Sequence, residues 1–196
     1  MTKLPLSFYQ RSALQVAPEL LGKVLVTCKK GEITSGVIVE VEAYTGEDDP
    51  ASHVYQGRKT PRTRILYEAG GRVYVYRIYG IYTCLNVVTG EKGQPHSVFI
   101  RALEPREGIE VMKKRRGTED IRRLTSGPAR LTQALGIDMN FYGESLTGER
   151  IFILDSSSLP PHEIATSPRI NIDYAGEGRN LPYRFYLKNS PFLSRR

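Results

Sequence analysis

The 196-residue chain contains no tryptophan, two cysteines and three histidines. Cys28 and Cys84 lie in unrelated contexts. They make no disulfide framework, and that usage suits a reducing cytoplasm. There is no Cys-x-x-Cys pair and no cluster of histidines, so a structural zinc site is not expected and metal ligands are assigned to none of the residues. No apolar run approaches the ~20 residues that a membrane span needs, and the opening MTKLPLSFYQRS has no apolar core of a secretory signal. At 40% hydrophobic residues the chain is too apolar to stay disordered. Its length suits one domain, 1–196, with a real core.

Positive charge is abundant and unevenly placed. The formal net charge is +7. Residues 1–50 carry 5 Lys and Arg against 7 Asp and Glu, net −2. Residues 51–130 carry 16 against 7, net +9, and residues 131–196 carry 7 of each. The central segment therefore supplies the whole excess. It also contains RVYVYRIYGIYTCLN, residues 72–86, where Tyr74, Tyr76, Tyr79 and Tyr82 fall within nine positions. Aromatics interleaved with basic residues fit a polyanion with flat bases, and equally a solvated basic face beside ordinary aromatic packing.

Pattern along the chain predicts an α+β domain with a curved, mixed, largely antiparallel sheet flanked by helices. A helix is expected over 10–21, with Pro18 breaking or starting it. Strands are expected over 23–30 and 36–44, joined by a hairpin turn at Gly31-Glu32, and over 97–105 and 148–155, while 71–79 and 81–88 read as one strand bent near Gly80 or as two. A basic helix over 108–116 follows, then one over 126–136 capped by Ser126, with Pro128 in its first turn and Gly136 at its end. A turn-rich segment covers 156–161. Residues 169–176 and 182–188 read as a β-rich C-terminal part. The polar stretch 45–64 is long for a loop in a compact domain, and such loops often carry function.

Strand alternation places Val37, Val39 and Val41 on a core face and Ile38, Glu40 and Glu42 on the other, with Tyr44 next in line. Two acids on one face are either solvated or functional. A carboxylate beside an aromatic at a strand end can serve as a general base when burial raises its pKa. Arg101 interrupts an apolar run, as an edge residue or one held by a carboxylate or phosphate. His53 is the only histidine near the aromatic zone, and Asn86 ends its strand. Each is structural by default, but either could hydrogen-bond a base.

Taken together these segments resemble the alkyladenine (3-methyladenine) DNA glycosylase family, in a bacterial member. The strings that carry the resemblance are VEVEAYTGEDDPASH, GRKTPRTR, VYVYRIYGIYTCLN, FIRALEPREG, SGPARLTQALGI, SPRINIDYAGE and PYRFYL. The resemblance implies a monofunctional hydrolase without metal or cofactor that removes damaged purines from double-stranded DNA as a monomer in the bacterial nucleoid. It makes Glu42 the acid that activates water. Arg101 and the backbone carbonyl of Ile172 then help to hold that water. It makes Tyr44 and Tyr76 a sandwich around an extruded base, His53 a third wall, and Asn86 the residue that crowds the guanine amino group. Tyr79 becomes a wedge in the vacated stack, with Leu66 and Phe99 also against the duplex.

The physics of these roles is coherent. Extruding a base costs a few kcal/mol, and less for a weakly paired lesion. Stacking on aromatics returns about 1–3 kcal/mol per base. A cationic alkylpurine gains a cation–π contribution that neutral hypoxanthine lacks. Two other classes account for part of the pattern. A carbohydrate hydrolase could use Glu40 and Glu42 as an acid pair but leaves the basic segment idle. A binder of single strands uses the tyrosines and charge but gives Glu42 no task.

Overall fold

The computed structural model describes residues 2–156 and 160–195. The chain begins with two helices, α1 (Leu6–Tyr9) and α2 (Ala13–Leu20). The Gln15 side chain accepts a hydrogen bond from the Ser12 amide at 3.2 Å and so fixes the start of α2. Pro18 neither breaks nor starts this helix. It lies inside the helix, two residues before its end, where its missing N–H costs one bond to the carbonyl four residues back.

Strands β1 (Val24–Lys29) and β2 (Glu32–Tyr44) pair antiparallel from Lys29↔Glu32 to Val24↔Val37. Their two-residue turn is Lys30-Gly31, one position earlier than the sequence suggests. Both residues have positive φ, 52° and 80°, as a tight hairpin requires. Strands β3 (Val73–Ile78), β4 (Tyr82–Thr89), β5 (His96–Pro105) and β6 (Ile151–Leu154) follow the expected positions. Helix α3 (Ile109–Arg116) and helix α4 (Pro128–Leu135) fall between β5 and β6. Gly127, rather than Ser126, precedes α4 as its cap; the Ser126 hydroxyl instead accepts from Arg130 Nη1 at 3.2 Å. Part of the turn-rich segment 156–161 lies outside the described residues.

The C-terminal part departs from its β-rich reading. Only β7 (Ile164–Ser167) and β8 (Arg184–Leu187) are strands. Residues Asp173–Asn180 form tight helical turns, because Asn171 and Gly176 take positive φ and break any extended run.

The strands make one eight-stranded sheet of order β3-β4-β5-β2-β1-β6, with β8 paired to both β2 and β7. Every pairing among them is antiparallel. The α+β architecture stands as expected. Apolar faces of α2 and α4 close the main core against the sheet, burying Val16, Leu20, Leu131 and Leu135 with Ile38, Val41, Ile100 and Leu103.

The centre of the sheet is irregular in a way that decides the site. Between β2 and β5 the pairs run Ile38↔Leu103, Glu40↔Ala102 and Val41↔Ile100. Val39 is thus an extra residue on β2, and Arg101 an extra residue on β5. Such bulges kink strands and re-aim side chains. The expected alternation fails here for that reason. Ile38 joins Val41 and Ala43 in the main core, whereas Val37 is half-buried and Val39 is buried outside that cluster. Beyond the bulge Glu40, Glu42 and Tyr44 share the opposite face. That face is not solvated: both acids are 0% exposed.

Close approach elsewhere leaves no room for a side chain. A Cβ on Gly70 would lie 2.3 Å from the Tyr9 carbonyl oxygen, with the Thr89 Cα at 3.1 Å. Gly70→Ala is expected to cost about 1–3 kcal/mol through forced backbone movement. For a chain of this size that lowers Tm by about 2–4 °C per kcal/mol. Calorimetry would check it.

Candidate active site

Three strands and the C-terminal segment converge on Arg101. Its Nε donates to Glu40 Oε1 at 3.0 Å, its Nη1 lies 3.2 Å from Glu42 Oε1, and its Nη2 donates to Ser194 Oγ at 3.2 Å. From β8, Arg184 Nε donates to the same Glu40 oxygen at 2.8 Å. Ser194 adds its amide to Glu40 Oε2 at 2.6 Å and its hydroxyl to Oε1 at 2.7 Å. Glu42 accepts from the Ile170 amide at 2.8 Å and from the Tyr44 hydroxyl at 3.0 Å.

The two acids therefore differ in kind although they are two residues apart. Burial pushes both pKa values up. At Glu40 the nearby arginines and the two Ser194 bonds outweigh it, and the pKa is lowered. At Glu42 burial wins over Arg101 and the two hydrogen bonds, helped by repulsion from Glu40, and the pKa is raised. Glu40 is thus held toward its anionic form, whereas burial pushes Glu42 toward its protonated form.

Against this network lies a cavity of about 490 Å³, within the range that small ligands fill. Tyr44, Arg101 and Ile170 line it, and each touches Glu42, which lies just behind them. Tyr74, Tyr76 and His53 form another wall. Tyr76 stacks on Tyr74 with centroids 5.3 Å apart, and His53 meets Tyr76 edge-on at 4.6 Å. The His53 Nδ1 is 2.9 Å from the Tyr74 hydroxyl. Burial, with Arg62 and Arg58 nearby, pushes the His53 pKa down to about 4, so the ring is neutral at physiological pH. Asn86 is 4% exposed, and its Nδ2 has no partner among the described residues. A buried amide donor without an acceptor in a cavity wall is suited to a ligand that brings one.

A second buried pair holds the loop that carries His53. Arg169 Nη2 donates to Asp49 Oδ1 at 2.7 Å, and both side chains are 0% exposed. Asp49 in turn accepts from the amides of Thr45 and Ala51, pinning the 45–54 stretch. The Arg169 guanidinium lies 4.6 Å from the centroid of Tyr44. Thus Tyr44 is fixed at its ring by one network and at its hydroxyl by the other.

At the far end of the β3–β4 hairpin Tyr79 is 88% exposed and Ile81 71% exposed. Tyr79 and Gly80 both have positive φ, 51° and 72°, which turns the chain and leaves the phenol in solvent.

The structure brings Glu42, Arg101, Tyr44, Tyr76, His53 and Asn86 around one cavity, with Tyr79 on an exposed tip. Two expected placements differ. Leu66 is buried with Val54, Tyr74 and Val88 in a small core and lines the cavity from there. Phe99 is 7% exposed and lines the cavity, because its strand is central rather than at the rim. The carbonyl of Ile172 accepts the Ala175 amide at 2.9 Å and keeps a second lone pair, and Ile172 lines the cavity; the backbone group that bonds Glu42 directly is the Ile170 amide, two residues earlier. Sequence reading also missed Ile170, Arg184 and Ser194, whose only signals are their places in short strings near the C-terminus, and Ile81, an apolar residue directly after a turn glycine.

The family profile described as methylpurine-DNA glycosylase matches residues 7–191. The chain belongs to that family. It is therefore a DNA glycosylase, a hydrolase acting in repair of alkylated DNA. Members similar to it include proteins named "Putative 3-methyladenine DNA glycosylase". One from Bacillus cereus strain G9842 is 48% identical, with 98% of each chain covered. One from Desulfitobacterium hafniense is 44% identical, with 99% of each covered. One from Bacillus subtilis is 45% identical, covering 98% of this chain and 96% of its own. Among the described residues no helix is long and apolar enough to cross a membrane.

In this glycosylase the Asp49–Arg169 pair is completely buried, so removing one partner strands the other charge. Asp49→Ala is expected to cost about 3–5 kcal/mol, read as a lower midpoint in urea unfolding.

Proposed function

We propose that the chain is a monofunctional glycosylase that extrudes a damaged purine from duplex DNA into the aromatic cavity. Ionised Glu42 then activates the water that replaces the base at the sugar C1′. The observation that carries this reading is a buried carboxylate with a raised pKa directly behind a cavity of about 490 Å³ that is walled by tyrosines and roomy enough for a purine.

Each residue then has a task that its surroundings support. Tyr44 and Tyr76 stack on the base, contributing about 1–3 kcal/mol each way it is faced by an aromatic ring. An alkylated, cationic purine gains further from the electron-rich faces. Neutral His53 can give or take one hydrogen bond to the base edge. The free Asn86 amide offers a donor there, and its bulk disfavours a purine with an extra amino group. Tyr79, with Ile81 beside it, wedges into the stack that the base has left. Arg101 and the Ile170 segment orient the water beside Glu42. Water and base arrive on opposite sides of C1′, and the enzyme forms no covalent link, so strands remain intact.

The carbohydrate reading has less support. Glu40 is committed to two arginines and Ser194, which leaves it unsuited to trade protons as half of an acid pair.

Single-turnover base release from duplexes carrying hypoxanthine, ethenoadenine or alkylated purines is the direct test. Free base should appear with strands intact until alkali is added. Glu42→Gln is expected to slow release by about 10²–10⁴-fold while DNA binding persists; release at the normal rate in that variant would remove Glu42 from the chemistry. The pH profile follows from the same site. Activity needs the carboxylate, whose pKa is raised by burial, so the rate should fall as pH drops through that raised value. His53 protonates only near pH 4 and should not contribute to that limb: His53→Gln should change its height and not its position.

A further inference from the structure

We propose that Glu40 and the C-terminal Ser194 are positioning residues for this reaction: Glu40 is the permanent counter-anion that holds the Arg101 guanidinium against Glu42, and Ser194 locks both in place. The proposal rests on the reading of Glu42 as the base.

The geometry shows a guanidinium held on three sides. Each nitrogen of Arg101 has its own oxygen, on Glu40, Glu42 and Ser194 respectively. Arg101 occupies the extra position of a bulge on β5, so the backbone alone does not fix its direction. Its carboxylate partner does. Glu40 is anchored independently by Arg184 from β8 and by two bonds from Ser194. Arg184 is tied in turn to the chain end, donating from Nη2 to the Arg195 carbonyl at 2.6 Å. Two acids and two arginines make a neutral buried group when Glu42 is ionised. Ser194 is the member that comes from outside the sheet, and it is the one that touches both Glu40 and Arg101.

The arrangement has a consequence for proton exchange at Glu42. That group faces Arg101 from β5, Glu40 and the Tyr44 hydroxyl on its own strand, and the Ile170 amide. At longer range Arg169, Tyr76, Cys84 and Tyr174 also act on it. Glu40 repels the Glu42 carboxylate and takes up part of the Arg101 charge, and both effects favour a protonated Glu42. Neutralising Glu40 ends the repulsion, which alone would let Glu42 ionise at lower pH; it also frees Arg101 from its anchor, and loss of the larger Arg101 attraction raises the Glu42 titration instead.

The experiment is a carbon-13 carboxyl NMR titration of Glu42 in the full chain, with single-turnover pH profiles in parallel. In Glu40→Gln both the Glu42 titration and the acid limb of the rate are expected at higher pH than in the parent, because Arg101 is no longer held against Glu42; a shift to lower pH is what loss of a mere neighbouring charge would give and would overturn the proposal. An unmoved Glu42 titration would overturn it too. A titration that rises while the rate limb stays fixed would leave the positioning role intact and refute Glu42 as the base. Ser194→Pro keeps the test open if Glu40→Gln does not fold, since it removes the amide donor and hydroxyl from a half-buried site near the chain end. Its release rate should fall on the order of tenfold or more at a temperature where the melting curve shows the variant still fully folded. Ser194→Thr, which keeps both donors, should restore the rate. Parental rates in Ser194→Pro would refute the clamp.

Discussion

Arg101 is the point on which the rest of the structure turns. A guanidinium in the middle of a sheet is tolerable only when its charge is matched and its donors are taken. Two carboxylates from β2 match it, and the pair of opposed bulges in β2 and β5 brings them face to face with it. The second carboxylate calls for a second arginine, Arg184, which requires β8 to run beside β2. Backbone and hydroxyl donors from Ser194 complete Glu40, which requires the chain end to fold back over the same face. The path of the last residues thus follows from charges placed about 150 positions earlier.

The cavity wall depends on the same kind of constraint, applied a second time. Arg169 and Asp49 are buried from opposite ends of the chain, and they bind the 45–54 loop to the segment that supplies the Ile170 amide. Tyr44 lies between the two networks, its ring against Arg169 and its hydroxyl on Glu42. A long polar loop without regular structure is normally mobile. Here a charged pair and two side-chain-to-backbone bonds hold it, so that His53 stands at a fixed height beside Tyr76. Rigid walls matter for a site that must select a rare base from many normal ones, because discrimination by shape is lost if the walls yield.

Much of this was legible in the residues. β-branched runs marked β1, β2 and β5, and the turn glycines marked the helix ends. The strings around Glu42 and Tyr76 pointed to the cavity residues. What could not be read was anything produced by a change of phase. The alternation in VIVEVEAY places Val39 in the core because it assumes one residue per pleat. A bulge adds one, moves Ile38 inward and buries the acids, and no residue type announces it. Leu66 was misplaced because an apolar residue in a basic loop can be core or contact surface, and only packing decides. Ile172 and Ile170 are chemically the same in a strand-like string. Only the left-handed turn at Asn171 separates the Ile170 amide that meets Glu42 from Ile172 at the cavity wall.

The β3–β4 hairpin joins the two halves of the proposed reaction. Its base carries Tyr76 and Asn86 in the cavity, and its tip carries Tyr79 and Ile81 in solvent. Tyr79 also borders the cavity, so the hairpin reaches from the cavity wall to solvent. On the proposed reading a wedge entering the base stack there leaves the extruded nucleotide near the cavity mouth. Both ends belong to one antiparallel pair whose register is set by Tyr76↔Cys84 and Ile78↔Tyr82. On the proposed reading, insertion of the wedge and capture of the base are coupled through this one pair of strands. A normal, well-stacked base that resists extrusion would then keep the tip out of the helix and leave the cavity without a ligand, whatever the affinity of its walls. Selectivity would start at the hairpin, and Glu42 would meet only what the hairpin had already passed.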